Sequence, residues 1–155
     1  NLSRSEALLH ASSLEYPIFQ QFISGYEISI DSYITTDNNI KGIITRKRII
    51  VENGESVITS TFSDHNLEKI LKTYILSLNL YGHINLQAII DENNDIHIIE
   101  CNARFGGAST ISIKSGLDSF YWLYLESIGL SLKDYKFIKS KKQITQIRHL
   151  EDFYI

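Results

Sequence analysis

Methionine is absent from this sequence, and cysteine, proline and tryptophan each occur once. With Cys101 alone, an internal disulfide is excluded, and a reducing cytoplasm is the expected setting. No apolar run approaches the ~18–20 residues of a membrane-spanning helix, and no signal-peptide pattern opens the chain. Basic residues are in the minority, 15 Lys and Arg against 18 Asp and Glu, for a net charge of −3. That balance gives neither the footprint of a nucleic-acid binder nor a polybasic membrane patch. What is present is ordinary for a globular chain: 43% hydrophobic and 21% charged residues over 155 positions. This length suffices for a single domain with a real core. Because position 1 is Asn and not Met, the chain reads as part of a longer protein whose remainder carries some of the chemistry.

Hydrophobic periodicity gives a sequence of elements. Residues 3–14 read as a helix capped by Ser3 or Ser5, with Ala7, Leu8, Ala11 and Leu14 as its apolar stripe. "YPIFQQFI" reads as a short strand, with Pro17 near its start. Residues 26–36 alternate. Tyr26, Ile28, Ile30 and Ile34 share one face, and Glu27, Ser29, Asp31 and Tyr33 share the other. "DNN" turns the chain into the strand 40–52, and Asn53–Gly54 is a strong hairpin signal before the strand 55–62. A helix follows, begun by Ser63 or Asp64 and stopped by Gly82, with Leu67, Ile70, Leu71, Tyr74, Ile75 and Leu78 at helical spacing. Two strands around "ENN" come next, then two short helical stretches, the second capped by Asp118, and a last strand with a tail in "ITQIRHLEDFYI". The fold class is α+β: an antiparallel sheet with helices packed on one face.

The strands around "ENN" bring polar residues together. Pairing about Asn93–Asn94 sets Gln87 opposite Glu100 and Asn85 opposite Asn102, on one face. The other face then carries Leu86, Ala88, Ile90, Ile99 and Cys101 as core, along with His97. A carboxylate among amides suits a hard cation such as Mg²⁺. Arg104 and the N–H groups of Gly106–Gly107 suit phosphate or another anion. The same pattern also describes a polar strand end held by cross-strand hydrogen bonds. In the first hairpin, a tip at Asn38–Asn39 sets Asp31 opposite Arg46 and Ser29 opposite Arg48, with Glu27 on the same face. These residues read as cross-strand ion pairs or as a phosphate-binding pair of arginines. His83 shares the polar face of Gln87 and is expected to be structural.

Three segments together resemble the ATP-grasp superfamily, most of all the large subunit of carbamoyl phosphate synthase and stand-alone ligases like it. They are "QQFISGYEISID" (Gln20–Asp31), "NLQ" (Asn85–Gln87) and "ECNARFGG" (Glu100–Gly107). The likeness runs from about Tyr16 to Gly129. It implies that Gln87, Glu100 and Asn102 bind magnesium (or manganese) ions bridging the phosphates of ATP. It implies that Glu27 bonds the ribose and that the backbone at Phe22 and Ile23 recognises adenine. Arg104 would steady the transferring phosphoryl group, and Arg46 and Arg48 would face phosphate or substrate. Gln21 stands where the family usually has Glu, and Ala103 where it usually has Pro. On this likeness residues 1–155 form one partial ATP-grasp domain, the C-terminal lobe of a two-lobed clamp. The lysine and glycine-rich loop of the other lobe, and the domain before it, are absent from the sequence.

The activity implied is ATP-dependent ligation of a small-molecule carboxylate to a nucleophile, an amine above all, through an acyl phosphate with release of ADP. The lobe alone would be inactive. A homodimer is an assembly the resemblance allows, and neither nucleic acid nor membrane is an expected partner. Two other readings stay open: a kinase of the same fold phosphorylating a hydroxyl, and a non-catalytic binding or scaffold module that retains the lobe.

Overall fold

The computed structural model describes residues 2–149. The six strands form one antiparallel sheet in the order β5-β4-β1-β2-β3-β6. They are β1 (Tyr26–Ile34), β2 (Ile40–Glu52), β3 (Glu55–Phe62), β4 (Gly82–Ile90), β5 (Ile96–Asn102) and β6 (Thr145–Ile147). The helices are α1 (Arg4–Ala11), α2 (His65–Ser77), α3 (Thr110–Lys114) and α4 (Ser119–Ser127). The antiparallel α+β class is as expected, and the helical cover divides between the two faces of the sheet.

One face is covered by α2. Ile28, Ile30, Ile34, Ile43, Ile84, Leu86, Ala88 and Ile90 meet Leu67, Leu71 and Ile75 of α2 there. Each fully buried Leu or Ile contributes about 1.5–3 kcal/mol, so this layer is the main support of the sheet. Asp64 caps α2 by accepting from the N–H groups of Asn66 and Leu67. The helix stops at Asn79, which takes φ 54°. The predicted stop, Gly82, instead opens β4 with φ 84°. Asn reaches the left-handed region readily enough to end a helix. Ile70, expected in the stripe, is exposed.

The other face is covered only in part. Tyr33 and Ile44 pack there with Leu117, Trp122, Leu125 and Leu132, beneath α4 and the chain on either side of it. Beyond this cluster the same face turns polar and stays open. Asp118, the expected cap, precedes α4 without making a side-chain cap, and of the helix's apolar residues Trp122 and Leu125 are buried while Phe120 and Leu123 are exposed.

Several local expectations need correction. Residues 16–23 form no strand: Tyr16, Ile18, Phe19 and Phe22 are all exposed, and nothing in the sheet pairs with them. A strand takes its stability from a neighbour more than from propensity, and Pro17 withholds one donor. α1 is capped by Ser3 in a reciprocal box with Glu6, yet it buries no residue, and it ends at Ala11, short of Leu14. The β1–β2 register differs by two residues from the predicted one, pairing Ser29 with Arg46 and Asp31 with Ile44, because the chain reverses between Ile34 and Ile40, about Asp37 rather than Asn38–Asn39, with a one-residue irregularity at Tyr33/Ile34. A shift of two residues keeps every side chain on its face.

In β4–β5 the pairs Asn85–Asn102 and Gln87–Glu100 are as predicted. Past Gln87 a bulge leaves Ile99 unpaired and sets His97 opposite Ile89. One extra residue reverses the face of everything beyond it, so His97 falls on the Gln87 side rather than the core side. Cys101 does pair with Leu86, but β5 is an edge strand, and the thiol is exposed rather than core. The predicted tail beyond His149 lies outside the described residues.

Candidate functional site

The open polar half of the sheet is built from alternate residues of four adjacent strands, closed at one end by the loop from β5 to α3. It contains a cavity of about 150 Å³ lined by Ser29, Arg46, Arg48, Asn85, Gln87, Asn102, Arg104, Gly106, Gly107 and Arg148, among others. Strand alternation explains why one face of an otherwise apolar sheet can gather these groups.

At the edge of the cavity, Glu100 is exposed. Its Oε1 accepts from Gln87 Nε2 at 2.5 Å and from Asn102 Nδ2 at 2.8 Å. Its Oε2 has no partner among the described residues. Gln87 Oε1 accepts from Arg48 Nη1 at 2.7 Å. Arg48 also pairs with Glu27 and donates to Ser56 Oγ and the Gly54 carbonyl, so the side chain is pinned on all sides.

Beneath this layer lies Asp31, fully buried. It receives Arg46 Nε at 2.9 Å, Asn85 Nδ2 at 2.7 Å, Ser109 Oγ at 2.9 Å and Ser112 Oγ at 2.6 Å, with His83 Nε2 at 3.5 Å. Burial alone would raise the pKa of Asp31. The Arg46 charge, together with hydrogen bonds from His83 and Arg46, more than offsets this and holds the carboxyl well below the usual range.

Asp31 therefore ties the sheet to α3 and to the loop in front of it. Ser109 Oγ also accepts from the Gly106 N–H at 2.9 Å, so that N–H serves the turn and is not offered to a ligand. The Gly107 N–H has no partner among the described residues. Phe105 is stacked between His83 and Phe120, with ring centroids at 4.2 and 3.7 Å. This stack fixes the loop from its other side. His83 is buried, holds Ser119 Oγ at 3.0 Å, and is structural as expected. Arg104, at the mouth, is exposed and among the described residues donates only to the carbonyl of Phe105.

The structure thus brings together Gln87, Glu100, Asn102, Arg46, Arg48, Arg104, Gly106 and Gly107, with Glu27 joined through Arg48. Phe22 is exposed on the irregular segment before β1 and Ile23 is half-buried there, and neither lines the cavity. Sequence reasoning passed over three groups. Asp31 was read as one member of a surface ion pair, although it is a buried hub. Ser109 and Ser112 gave a signal, three apart just after the glycines, where both fall on one face of a helix. Arg148 gave little, because its place beside the site depends on β6 pairing with β3.

The cluster of Glu100, Asn102 and Gln87 offers carboxylate and amide oxygens, which suit a hard cation. Among the described residues no three of His, Cys, Asp and Glu cluster as a cage. Mg²⁺ does not need one, since it commonly takes one or two carboxylates plus phosphate oxygens and water. Glu100, with one oxygen unused, and Asn102 beside it fit that donor set.

A family model described as ATP-grasp in the biosynthetic pathway with Ter operon matches residues 14–153. The chain belongs to this ATP-grasp family. The ATP-grasp chain also shares its fold with biotin carboxylases. Biotin carboxylase from Campylobacter jejuni, solved as a β-γ-ATP complex, aligns over 83% of this chain at 18% identity and TM-score 0.69. The biotin carboxylase domain of Hydrogenobacter thermophilus 2-oxoglutarate carboxylase, solved as a dimer with MgADP, ADP and bicarbonate, aligns over 82% at 16% identity and TM-score 0.67. The biotin carboxylase subunit of a pyruvate carboxylase aligns over 83% at 16% identity and TM-score 0.69. The ATP-grasp chain spans 31%, 30% and 31% of those three structures' lengths. No curated protein matches it. No helix among the described residues is long and apolar enough to cross a membrane.

Proposed function

We propose that this chain is the magnesium- and phosphate-binding lobe of an ATP-dependent ligase that joins a small-molecule carboxylate to an amine. The observation that carries the reading is the exposed Glu100 carboxylate, one oxygen unused, at the edge of a cavity floored by Arg46 and Arg48. Family membership supports ATP as the nucleotide, and the motif likeness to carbamoyl phosphate synthase supports an acyl phosphate.

In this reading Glu100 and Asn102 would hold Mg²⁺, with Gln87 joining them once its oxygen is released by Arg48. Bound there, the ion supplies charge neutralisation to the polyphosphate. Arg48, braced by Glu27, Ser56 and the Gly54 carbonyl, presents a fixed positive charge to the phosphates. Arg46 adds a second, held in place by Asp31. Such preorganised charges lose no energy to reorientation as the transition state forms. Arg104, engaged among the described residues only by a neighbouring carbonyl, would follow the phosphoryl group as it transfers.

The acceptor's carboxylate oxygen forms a bond to the γ-phosphorus as the bond to the ADP oxygen breaks. An amine then adds to the acyl carbon, phosphate leaves with the bonding pair, and the amine's proton passes to solvent. Phe22 and Ile23 would meet the adenine from the segment before β1, and Glu27 the ribose. In this reading the other lobe of the clamp would be supplied by further residues of the full-length protein. The test is product analysis on that full-length protein. ADP release with a hydroxylamine-trappable product supports ligation, and a stable phosphoester would replace it with a kinase reading. Glu100→Gln is expected to lower turnover at least 100-fold, and normal turnover would refute the metal assignment.

A further inference from the structure

We infer that Arg148 is the residue that binds the anionic group of the acceptor substrate, next to the Gly106–Gly107 turn; this deepens the ligase reading and rests on it.

The four arginines lining the cavity are not equivalent. Arg46 is 3% exposed and committed to buried Asp31. Arg48 is 6% exposed and held by Glu27 and three other acceptors. Arg104 sits on the β5 side of the cavity. Arg148 reaches the cavity from the residue just after β6, the strand farthest from β5 in the sheet. Among the described residues its only ionic partner is Glu55, at 2.9 Å from Nη1, and the two side chains are 37% and 68% exposed. A solvent-exposed pair of this kind is worth little and is readily exchanged for a better anion. Among the described residues Nη2 and Nε of Arg148 are unengaged. Those two nitrogens form the planar fork that matches a carboxylate or phosphate bidentately.

The backbone around Arg148 is fixed. Its N–H donates to the Val57 carbonyl at 2.9 Å. Two residues earlier on the same side of the chain, Gln146 Nε2 donates to Thr110 Oγ1 at 2.8 Å, locking this strand to the start of α3. Gln146 Oε1 is the one buried side-chain polar atom left without a donor among the described residues. The guanidinium lies against Gly107, where a Cβ would stand 3.2 Å from Nη1. Gly107 thus leaves room for the guanidinium beside an N–H that has no other acceptor. A guanidinium fork and a free backbone N–H together make an oxyanion cradle, beside the loop that carries Arg104, where phosphoryl transfer is proposed. The nucleotide's own phosphates are served by Arg46, Arg48 and the Glu100 group, which leaves the acceptor as the occupant.

The test uses the full-length protein saturated with Mg²⁺ and β,γ-methylene-ATP, which fills the nucleotide site through its γ position. Inorganic phosphate is then titrated by calorimetry as the oxyanion probe. Arg148→Gln is expected to weaken phosphate at least tenfold, and Arg148→Lys by less. Glu55→Gln, which removes the competing carboxylate, is expected to tighten phosphate several-fold, an effect that a purely structural Arg148 would not produce. Affinity for the nucleotide analogue is expected to stay within about twofold in all three variants. Unchanged phosphate affinity in Arg148→Gln, or no phosphate binding by the unsubstituted protein, would overturn the proposal. An equal loss of analogue affinity would also overturn it, by placing Arg148 on the nucleotide. If the unsubstituted protein failed to bind the analogue at all, the nucleotide reading would fall separately, and phosphate titrated alone would still test Arg148.

Discussion

Replacing Asp31 by Asn tests whether the buried hub holds the site together. The side chain keeps its shape and loses its charge. Every group around it donates: Arg46, Asn85, Ser109 and Ser112 all give hydrogen bonds to its two oxygens. An amide nitrogen in place of one oxygen would therefore confront donors with a donor, and Arg46, 3% exposed, would lose its counterion. Breaking a buried pair in this way costs about 3–5 kcal/mol. For a chain of this size that corresponds to a Tm lowered by about 6–20 °C. Urea unfolding followed by fluorescence of Trp122, the single tryptophan of the sequence, reads the change directly. The pH dependence gives a second, independent readout. Asp31 has a folded pKa below its ordinary value of 3.8, so its stabilisation is present above that value and is lost as pH falls through the folded one. The variant lacks this titration, and its stability should fall less steeply in acid than that of the unsubstituted chain. A loss under about 1 kcal/mol with an unchanged acid limb would refute the idea that Asp31 is a charged hub.

Other expectations follow from single features of the fold. Gly54 has φ 80° and open space around it, so Gly54→Ala should cost only the backbone term, about 1–2 kcal/mol by urea unfolding. Gly116 has φ 106° and a Cβ there would lie 2.1 Å from the Ile138 carbonyl oxygen, so Gly116→Ala should cost clearly more, about 3 kcal/mol or above. Leu71→Ala, in the layer under α2, is expected to cost about 2–5 kcal/mol in the same assay. Cys101 should react with a thiol reagent in the folded chain. Burial pushes its pKa above 9.0, so the labelling rate should still be climbing beyond that pH.

The elements most legible in the sequence were those specified locally. Asn53 and Gly54 both take positive φ, which a two-residue hairpin turn requires, and β2 and β3 end and begin on either side of them. Gln87 and Glu100 met as predicted because the turn before β5 lies only a few residues away and the alternating pattern penalises a slip. The failures began where one extra residue or a distant neighbour decided the outcome. The bulge at Ile99 reversed the face of His97, and no residue type announces a bulge there. Cys101 pointed toward the apolar side, but its exposure depended on β5 lying at the edge of the sheet. Tyr16 to Phe22 looked like a strand by composition and had no strand to join. Asp31 was visible as a partner of Arg46, whereas its depth was not, because burial came from Ser109 and Ser112, about 80 residues away in the chain. Arg148 reached the cavity only through the β3–β6 pairing, which joins segments too far apart for pattern reading.

The central claim is that the Glu100 carboxylate helps this chain hold a magnesium-bound nucleotide. The most direct measurement is calorimetric titration of the full-length protein with ATP, with and without Mg²⁺, for the unsubstituted protein and for Glu100→Gln. The account predicts Mg²⁺-dependent binding that Glu100→Gln weakens at least tenfold, with the Trp122 fluorescence and unfolding profile unchanged. Equal ATP affinity in both proteins, or no binding at millimolar nucleotide, would contradict it.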